Sequence, residues 1–299
     1  MRMNSCGELE DGALNAACRV MDVDGRRLIL TDLEAPAWPK AAVSKAELLT
    51  YYLGVADDLL AFLRGRPSSV VRRCEGLTPW IFDRSAGAGI VVEERGAIAH
   101  LVNGGCLGFH PWSATCQAAD RPDVLLFDVD PTEVAFREVR NAALLLRDLL
   151  ARYQLRSWVK TSGGRGLHIL VPLPAIHSFE DVHAAATLIA RAARAREPKL
   201  FTFEVRRARR RGRILVDVER NRPGTALISA FSVKPDSGLV SAPLEWVDLE
   251  GAVYPEDFSV SAAQARIAGI GAPFRDFFDH PQSLEHLLEA VRVRERRRA

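Results

Sequence analysis

The chain has 299 residues, 48% of them hydrophobic, enough to build one large domain or two closely packed lobes. Its 40 basic and 38 acidic side chains leave a net charge of only +2, so any affinity for a polyanion must come from local clusters. No apolar run approaches membrane-spanning length, and Cys6, Cys18, Cys74, Cys106 and Cys116 form no Cys-x-x-Cys pair, which argues against a zinc site or a disulfide framework.

Along the chain, helical spacing first appears over Asp57 to Leu63. Leu125 to Asp130 then reads as a strand ended by Pro131. Glu133 to Tyr153 carries Val134, Val139, Ala142, Leu146, Leu149 and Leu150 at helical spacing, with Arg137, Arg140 and Arg147 outside. Two strands follow, Ser157–Thr161 and Leu167–Pro172, separated by glycines. A helix is expected over His183 to Arg196 behind Ser178, a plausible N-cap. The Ile214–Val218 strand, a strand-rich tail with Ala226 to Val233, and a helix over Ser283 to Val291 complete the set. This order predicts an α+β fold with its chemistry on a sheet face.

Side chains alternate along a strand, so Leu125, Phe127 and Val129 share one face and Asp128 and Asp130 the other. Asp217 likewise stands opposite Ile214, Val216 and Val218. Carboxylates beside a core need a cation. Three of them from two strands are the oxygen donors that Mg²⁺ or Mn²⁺ accepts, in the manner of a two-metal phosphoryl-transfer site. Asp-x-Asp is also common in turns, but this pair ends an apolar strand. The second signal is Lys160-Thr161-Ser162-Gly163-Gly164-Arg165-Gly166-Leu167-His168 at a hairpin tip. With a strand after the glycines it is neither a P-loop nor a dinucleotide fingerprint. Its amides, hydroxyl and cations would suit a triphosphate. The plainer alternative is a glycine turn with His168 as a core histidine.

These three segments, in this order, resemble the archaeo-eukaryotic primase superfamily, and most closely the polymerase domain of bacterial ligase D and stand-alone bacterial primase-polymerases. The resemblance runs from about Leu28 to Phe278 and includes Ser44-Lys45-Ala46-Glu47-Leu48, Gly65-Arg66-Pro67, Phe109-His110-Pro111-Trp112, Asp120-Arg121-Pro122-Asp123 and Val240-Ser241-Ala242-Pro243-Leu244-Glu245-Trp246. It implies two interlocked modules, one similar to an RNA-recognition-motif sheet that carries the site. The expected boundaries are an extension over 1–24, a catalytic domain over 25–279 and a basic C-terminal helix or tail over 280–299.

The resemblance makes Asp128, Asp130 and Asp217 the catalytic, metal-binding triad for two Mn²⁺ or Mg²⁺ ions. It places His110 beside the nucleotide sugar, where relatives favour a ribose 2′-hydroxyl. It assigns Lys160, Ser162, Gly163, Gly164, Arg165, His168, Arg220 and Lys234 to the incoming nucleotide. Arg165 stands where many relatives have lysine, Arg220 where glutamine is usual, and Lys234 where arginine is usual, which loses a bidentate fork. Lys45, Arg72, Arg84, Arg209, Arg210 and Arg211 are the expected DNA contacts; the last three lie in an arginine run leading into the Asp217 strand. End-joining relatives hold a 5′-phosphate with an Asn-x-Asp-Lys stretch and a later lysine. Here the stretch is Asp32-Leu33-Glu34-Ala35 and only Lys45 survives, so a weakened phosphate grip is expected.

The expected function is metal-dependent addition of nucleotides to a primer 3′-hydroxyl in gap filling or non-homologous end joining, with ribonucleotide insertion. De novo priming is less favoured because the zinc-ligand cluster common in replicative primases is missing. A non-catalytic DNA-end or gap binder is the alternative from another class. Expected partners are a primer-template or gapped duplex, nucleoside triphosphates, and a separate ATP-dependent DNA ligase with Ku, since no linker to a ligase or nuclease domain is evident. A cytoplasmic, nucleoid-associated protein is expected; Glu8, Glu10 and Asp11 are unlike a signal peptide.

Overall fold

A computed structural model describes residues 18–38, 42–72, 81–83, 89–251, 253–271 and 273–296. Cys18–Val23 (β1) and Arg26–Thr31 (β2) pair as an antiparallel hairpin, so the expected domain start at residue 25 would divide a paired unit. Helices Lys45–Gly54 (α1) and Ala56–Leu63 (α2) follow, the first opened by a Ser44–Glu47 capping box that satisfies two otherwise orphaned amides. Ser68–Arg72 (β3), Ile81–Asp83 (β4), the helix Arg95–Asn103 (α3) and Cys106–Pro111 (β5) complete a first module. Its three strands are ordered β4-β3-β5.

The second module runs Val124–Asp130 (β6), Phe136–Ala151 (α4), Trp158–Thr161 (β7), Leu167–Pro172 (β8), Phe179–Arg196 (α5), Phe201–Thr202 (β9) and Ile214–Asp217 (β10). A short hairpin of Val233–Lys234 (β11) and Leu239–Val240 (β12) leads to Pro243–Leu244 (β13). The sheet order is β13-β7-β8-β6-β10-β9. Its inner four strands, with β6 between β8 and β10 and antiparallel to both, have the βαββαβ layout of an RNA-recognition-motif sheet. Helices Trp246–Glu250 (α6), Val260–Ile270 (α7) and Glu285–Arg296 (α8) end the described chain.

The core follows from strand and helix periodicity. Leu125, Phe127 and Val129 of β6 are fully buried, as are Val139, Ala142, Ala143, Leu146 and Leu150 along one stripe of α4. Helix α5 starts at Phe179, one residue after Ser178, whose hydroxyl and amide both bond Asp181; its apolar face therefore begins earlier than the expected His183. The other face of β6 changes character along its length. Val124 and Leu126 are buried, and only Asp128 and Asp130 turn polar, so the strand supplies core at one end and a site at the other.

One expectation is corrected. Ala226 to Val233 is not a continuous strand: it makes one bridge, Ala226 to Trp112, and only Val233 and Lys234 form β11. Phe231 lies at φ +65°, where the backbone turns out of an extended path. The described part of the 280–299 segment takes the helical alternative, with Leu284, Leu287 and Leu288 buried and α8 packed on α5. Arg84, Cys6 and Cys74 lie outside the described residues.

Candidate active site

Asp128 and Asp217 face one another as direct partners across the β6–β10 ladder, and Asp130 lies two residues along the same face. Placing two carboxylates side by side raises their mutual repulsion. Burial first, and the Asp128 charge second, push the Asp217 carboxyl above its ordinary value despite a hydrogen bond from the Glu219 amide. Asp128 is also penalised by burial, but His168, Arg220 and Lys234 outweigh that penalty and hold it below the usual carboxylate range. Asp130 takes a different partner. Its Oδ2 accepts from Arg210 Nη1 at 2.8 Å, and its Oδ1 lies 3.4 Å from the exposed Arg207 guanidinium.

The glycine hairpin tip forms as its sequence predicts, with β7 and β8 antiparallel on either side. Ser162 N donates to Gly166 O at 3.0 Å, and Gly166 N donates back to Ser162 Oγ at 3.2 Å. Two glycines are required by space. Gly163 is at φ +68°, and a Cβ there would sit 2.7 Å from Lys234 Cβ; one at Gly166 would meet Val129 O at 2.6 Å. Ser237 on the β11–β12 turn donates to the Gly163 carbonyl, so the loop and Lys234 are held together.

His168 opposes Asp128 in the β6–β8 ladder, its Nε2 3.5 Å from Asp128 Oδ1. Burial and then Lys160 lower its pKa to about 4. His110, on β5, is buried too, and burial followed by Lys160, Lys234 and Arg220 lowers it to about 3. Both rings are thus neutral at neutral pH.

These groups share one cleft of about 660 Å³, a volume in the range of small-molecule sites. It brings together His110, Asp128, Asp130, Ser162, His168, Arg210, Asp217, Arg220 and Lys234. Three residues sit differently. Lys160 is 1% exposed and does not line this cleft; its amine bonds His168, Ile228 and Ser241 from behind. Arg210 is buried, with bonds to Glu204 O, Val205 O and Thr132 Oγ1 besides Asp130, so it braces a carboxylate and is no outward DNA contact. Arg165 is exposed at the hairpin tip, outside the cleft lining. Arg72 ends β3, half-buried. Arg209 and Arg211 are exposed. Lys45 is half-buried, lowered by burial and raised in part by the nearby Asp32, which matches the expected acidic intrusion.

Sequence reasoning gave no role to the posts that hold this cleft. Tyr51 and Tyr52 donate to Phe231 O and Leu107 O, both at 2.7 Å, and Val233 N donates to Tyr52 Oη at 2.9 Å. They anchor the Lys234 segment to α1 and β5. Asn221 is fully buried, and its amide pairs with both Leu126 N and Leu126 O, so a side chain continues the ladder where β10 stops. Fully buried tyrosines need partners for their hydroxyls, and the Tyr-Tyr pair was the available signal.

No closed set of three His, Cys, Asp or Glu side chains arranged for a metal ion occurs among the described residues. Asp130 turning to Arg210 accounts for this. The donors still suit a hard divalent cation, because Asp128 and Asp217 offer carboxylate oxygens at close quarters and their repulsion favours a cation between them.

A family model for the LigD primase-polymerase domain matches residues 78–274. The chain belongs to that family. LigD primase-polymerase domains are nucleotidyltransferases, and Asp128, Asp130, Asp217, His110, His168 and the Ser162–Gly166 loop all fall inside the matched span. The multifunctional non-homologous end joining protein LigD of Pseudomonas aeruginosa is 33% identical over 239 residues, covering 72% of this chain and 28% of that protein. The bifunctional non-homologous end joining protein LigD of Bacillus subtilis is 28% identical over 275 residues, covering 86% of this chain and 45% of that protein. The chain therefore spans less than half the length of these curated relatives. In fold it matches the polymerase domain from Mycobacterium tuberculosis ligase D in complex with DNA, with a TM-score of 0.75 at 23% identity over 86% of this chain and 99% of that one. No described helix is long and apolar enough to cross a membrane.

Proposed function

We propose that the cleft performs template-directed nucleotidyl transfer to a primer 3′-hydroxyl, as a primase-polymerase of gap filling or non-homologous end joining. The observation that carries this reading is the meeting of Asp128, Asp130 and Asp217 with Ser162, His168, Arg220 and Lys234 in one cleft. Asp128, Asp130 and Asp217 would hold Mn²⁺ or Mg²⁺, ions that acidify a 3′-hydroxyl and neutralise phosphate charge. Lys234, Arg220 and the Ser162 hydroxyl would bind the triphosphate. His110, neutral, can exchange hydrogen bonds with a ribose 2′-hydroxyl, which favours ribonucleotides. The exposed Arg209 and Arg211 would follow the DNA backbone into the site.

The end-joining context is supported by the non-homologous end joining LigD proteins of Pseudomonas aeruginosa and Bacillus subtilis, and DNA as partner by the DNA-bound Mycobacterium tuberculosis domain. A separate ATP-dependent ligase, with Ku at the ends, would complete the repair. The test is thermal stabilisation by a nucleoside triphosphate with and without Mn²⁺. A rise in Tm that needs both supports the polymerase; stabilisation by DNA alone, with no response to nucleotide and Mn²⁺, would make the chain a non-catalytic gap binder.

A further inference from the structure

Lys160, expected from the resemblance to touch the incoming nucleotide, is instead fully buried directly behind the cleft. An amine so placed must spend its hydrogens on acceptors. Its Nζ lies 3.0 Å from Ile228 O, 2.5 Å from Ser241 Oγ and 2.8 Å from His168 Nδ1. Ile228 O can only accept. Ser241 Oγ donates its own hydrogen to Thr161 O at 2.8 Å, so towards Lys160 it also accepts. The ammonium has a third hydrogen, and the remaining neighbour is His168 Nδ1. On the far side of the ring, Nε2 faces the Asp128 carboxylate at 3.5 Å. A lone pair there would oppose an anion; an N–H would satisfy it.

We propose that Lys160 is a positioning residue that locks His168 as its Nε2–H tautomer and aims that hydrogen at Asp128 and the cleft. The reverse arrangement, Nδ1–H donating to a neutral amine, would turn the Nε2 lone pair on the carboxylate. An imidazolium facing an ammonium would set two donors against each other at 2.8 Å. Burial pushes the Lys160 amine well below its ordinary range and the Asp128 charge pulls it back, so it is the contact of Nε2 with the Asp128 carboxylate that puts the hydrogen on Nε2 and leaves Nδ1 to accept from the amine. Ser241, Lys160, His168 and Asp128 thus form one directed chain across three strands and the segment before β13. Outer partners of this kind orient the ligand that touches a metal, and removing one typically lowers metal affinity about 10–100-fold.

The kinetic importance of this chain rests on the polymerase reading; the tautomer does not, and it is measured separately. In metal-free protein labelled with ¹⁵N-histidine, long-range ¹H–¹⁵N correlation spectra report which ring nitrogen carries hydrogen, and a His168→Gln spectrum assigns the signal among the seven histidines. The unmodified protein should show His168 with Nε2–H and a bare Nδ1. Lys160→Met should release the ring to a mixture of tautomers and weaken Mn²⁺ binding about 10–100-fold. Ser241→Ala, which keeps the Lys160–His168 contact, should retain the Nε2–H pattern; a merely structural role would move both variants alike. An Nδ1–H tautomer in the unmodified protein overturns the proposal without any variant having to fold. So do His168 signals unchanged by Lys160→Met. Absence of primer extension with the predicted tautomer present would count against the polymerase reading alone.

Discussion

Removing the guanidinium of Arg210 should destabilise the metal-free protein more than any other single change on the rim of the cleft. The side chain is 4% exposed and its partner Asp130 is 27% exposed. Arg210→Met keeps the length of the stem but abolishes bonds to Asp130 Oδ2 (2.8 Å), Glu204 O (3.0 Å), Val205 O (2.9 Å) and Thr132 Oγ1 (3.2 Å). Breaking a fully buried pair from one side costs about 3–5 kcal/mol. Water still reaches Asp130, so the lower end, about 3 kcal/mol, is the better figure. An unfolding entropy of about 2.1 cal/mol/K per residue converts this to a Tm fall of roughly 5 °C for a chain of this length. Scanning calorimetry measures it directly. Mn²⁺ should restore part of the loss by supplying Asp130 with another cation, and Arg210→Lys should fall between, since it retains charge without the fork. A Tm within 1 °C of the unmodified protein would refute the buried-brace assignment.

Lys234 lines the cleft and Arg165 does not, so Lys234→Ala should raise the nucleotide KM by about one decade and Arg165→Ala by much less; steady-state extension kinetics compare them, and the opposite ranking would put the phosphates at the hairpin tip. A 5′-phosphate on the downstream strand should improve binding only weakly, and Asp32→Asn with Ala35→Lys should strengthen that preference several-fold, at about 1 kcal/mol or less per exposed charge and less at high salt. Competition between phosphorylated and unphosphorylated gapped duplexes reads the effect; an unchanged preference contradicts it. Stability should also fall with acid. Burial keeps the folded-state pKa of His110 at about 3 and of His168 at about 4, whereas an unfolded histidine titrates near 6.5. Below that value the unfolded chain gains two protons that the folded chain refuses, so stability present at pH 8 is lost, by roughly 4 kcal/mol at pH 5. Denaturant titrations of metal-free protein at the two pH values test this, and equal unfolding free energies would mean that at least one ring protonates in the folded state.

The aspartate-bearing strands were legible in the sequence because burial alternates along them. Leu125, Phe127 and Val129 declared one face, and the aspartates could only occupy the other. The hairpin was legible because strands flank its glycines on both sides. What a cation does once folded was not legible. Lys160, Arg165 and Arg210 look alike as positive charges near a phosphate loop, and only tertiary packing separates the buried brace, the buried donor and the exposed tip. The Ala226–Val233 segment has strand composition, but Phe231 at φ +65° diverts it, and no local pattern announces that turn. The C-terminal helix was legible from its spacing, but that Leu284, Leu287 and Leu288 bury against the domain was not, because arginines dominate the composition there.

Primer extension on a gapped duplex with Mn²⁺, comparing the unmodified protein with Asp128→Ala and Asp217→Ala, tests the central claim most directly. These two carboxylates are paired across the ladder and neither is held by an arginine brace. Extension by the unmodified protein and its loss in both variants are expected, with folded-state circular dichroism and DNA binding retained. Near-normal extension by either variant would contradict it.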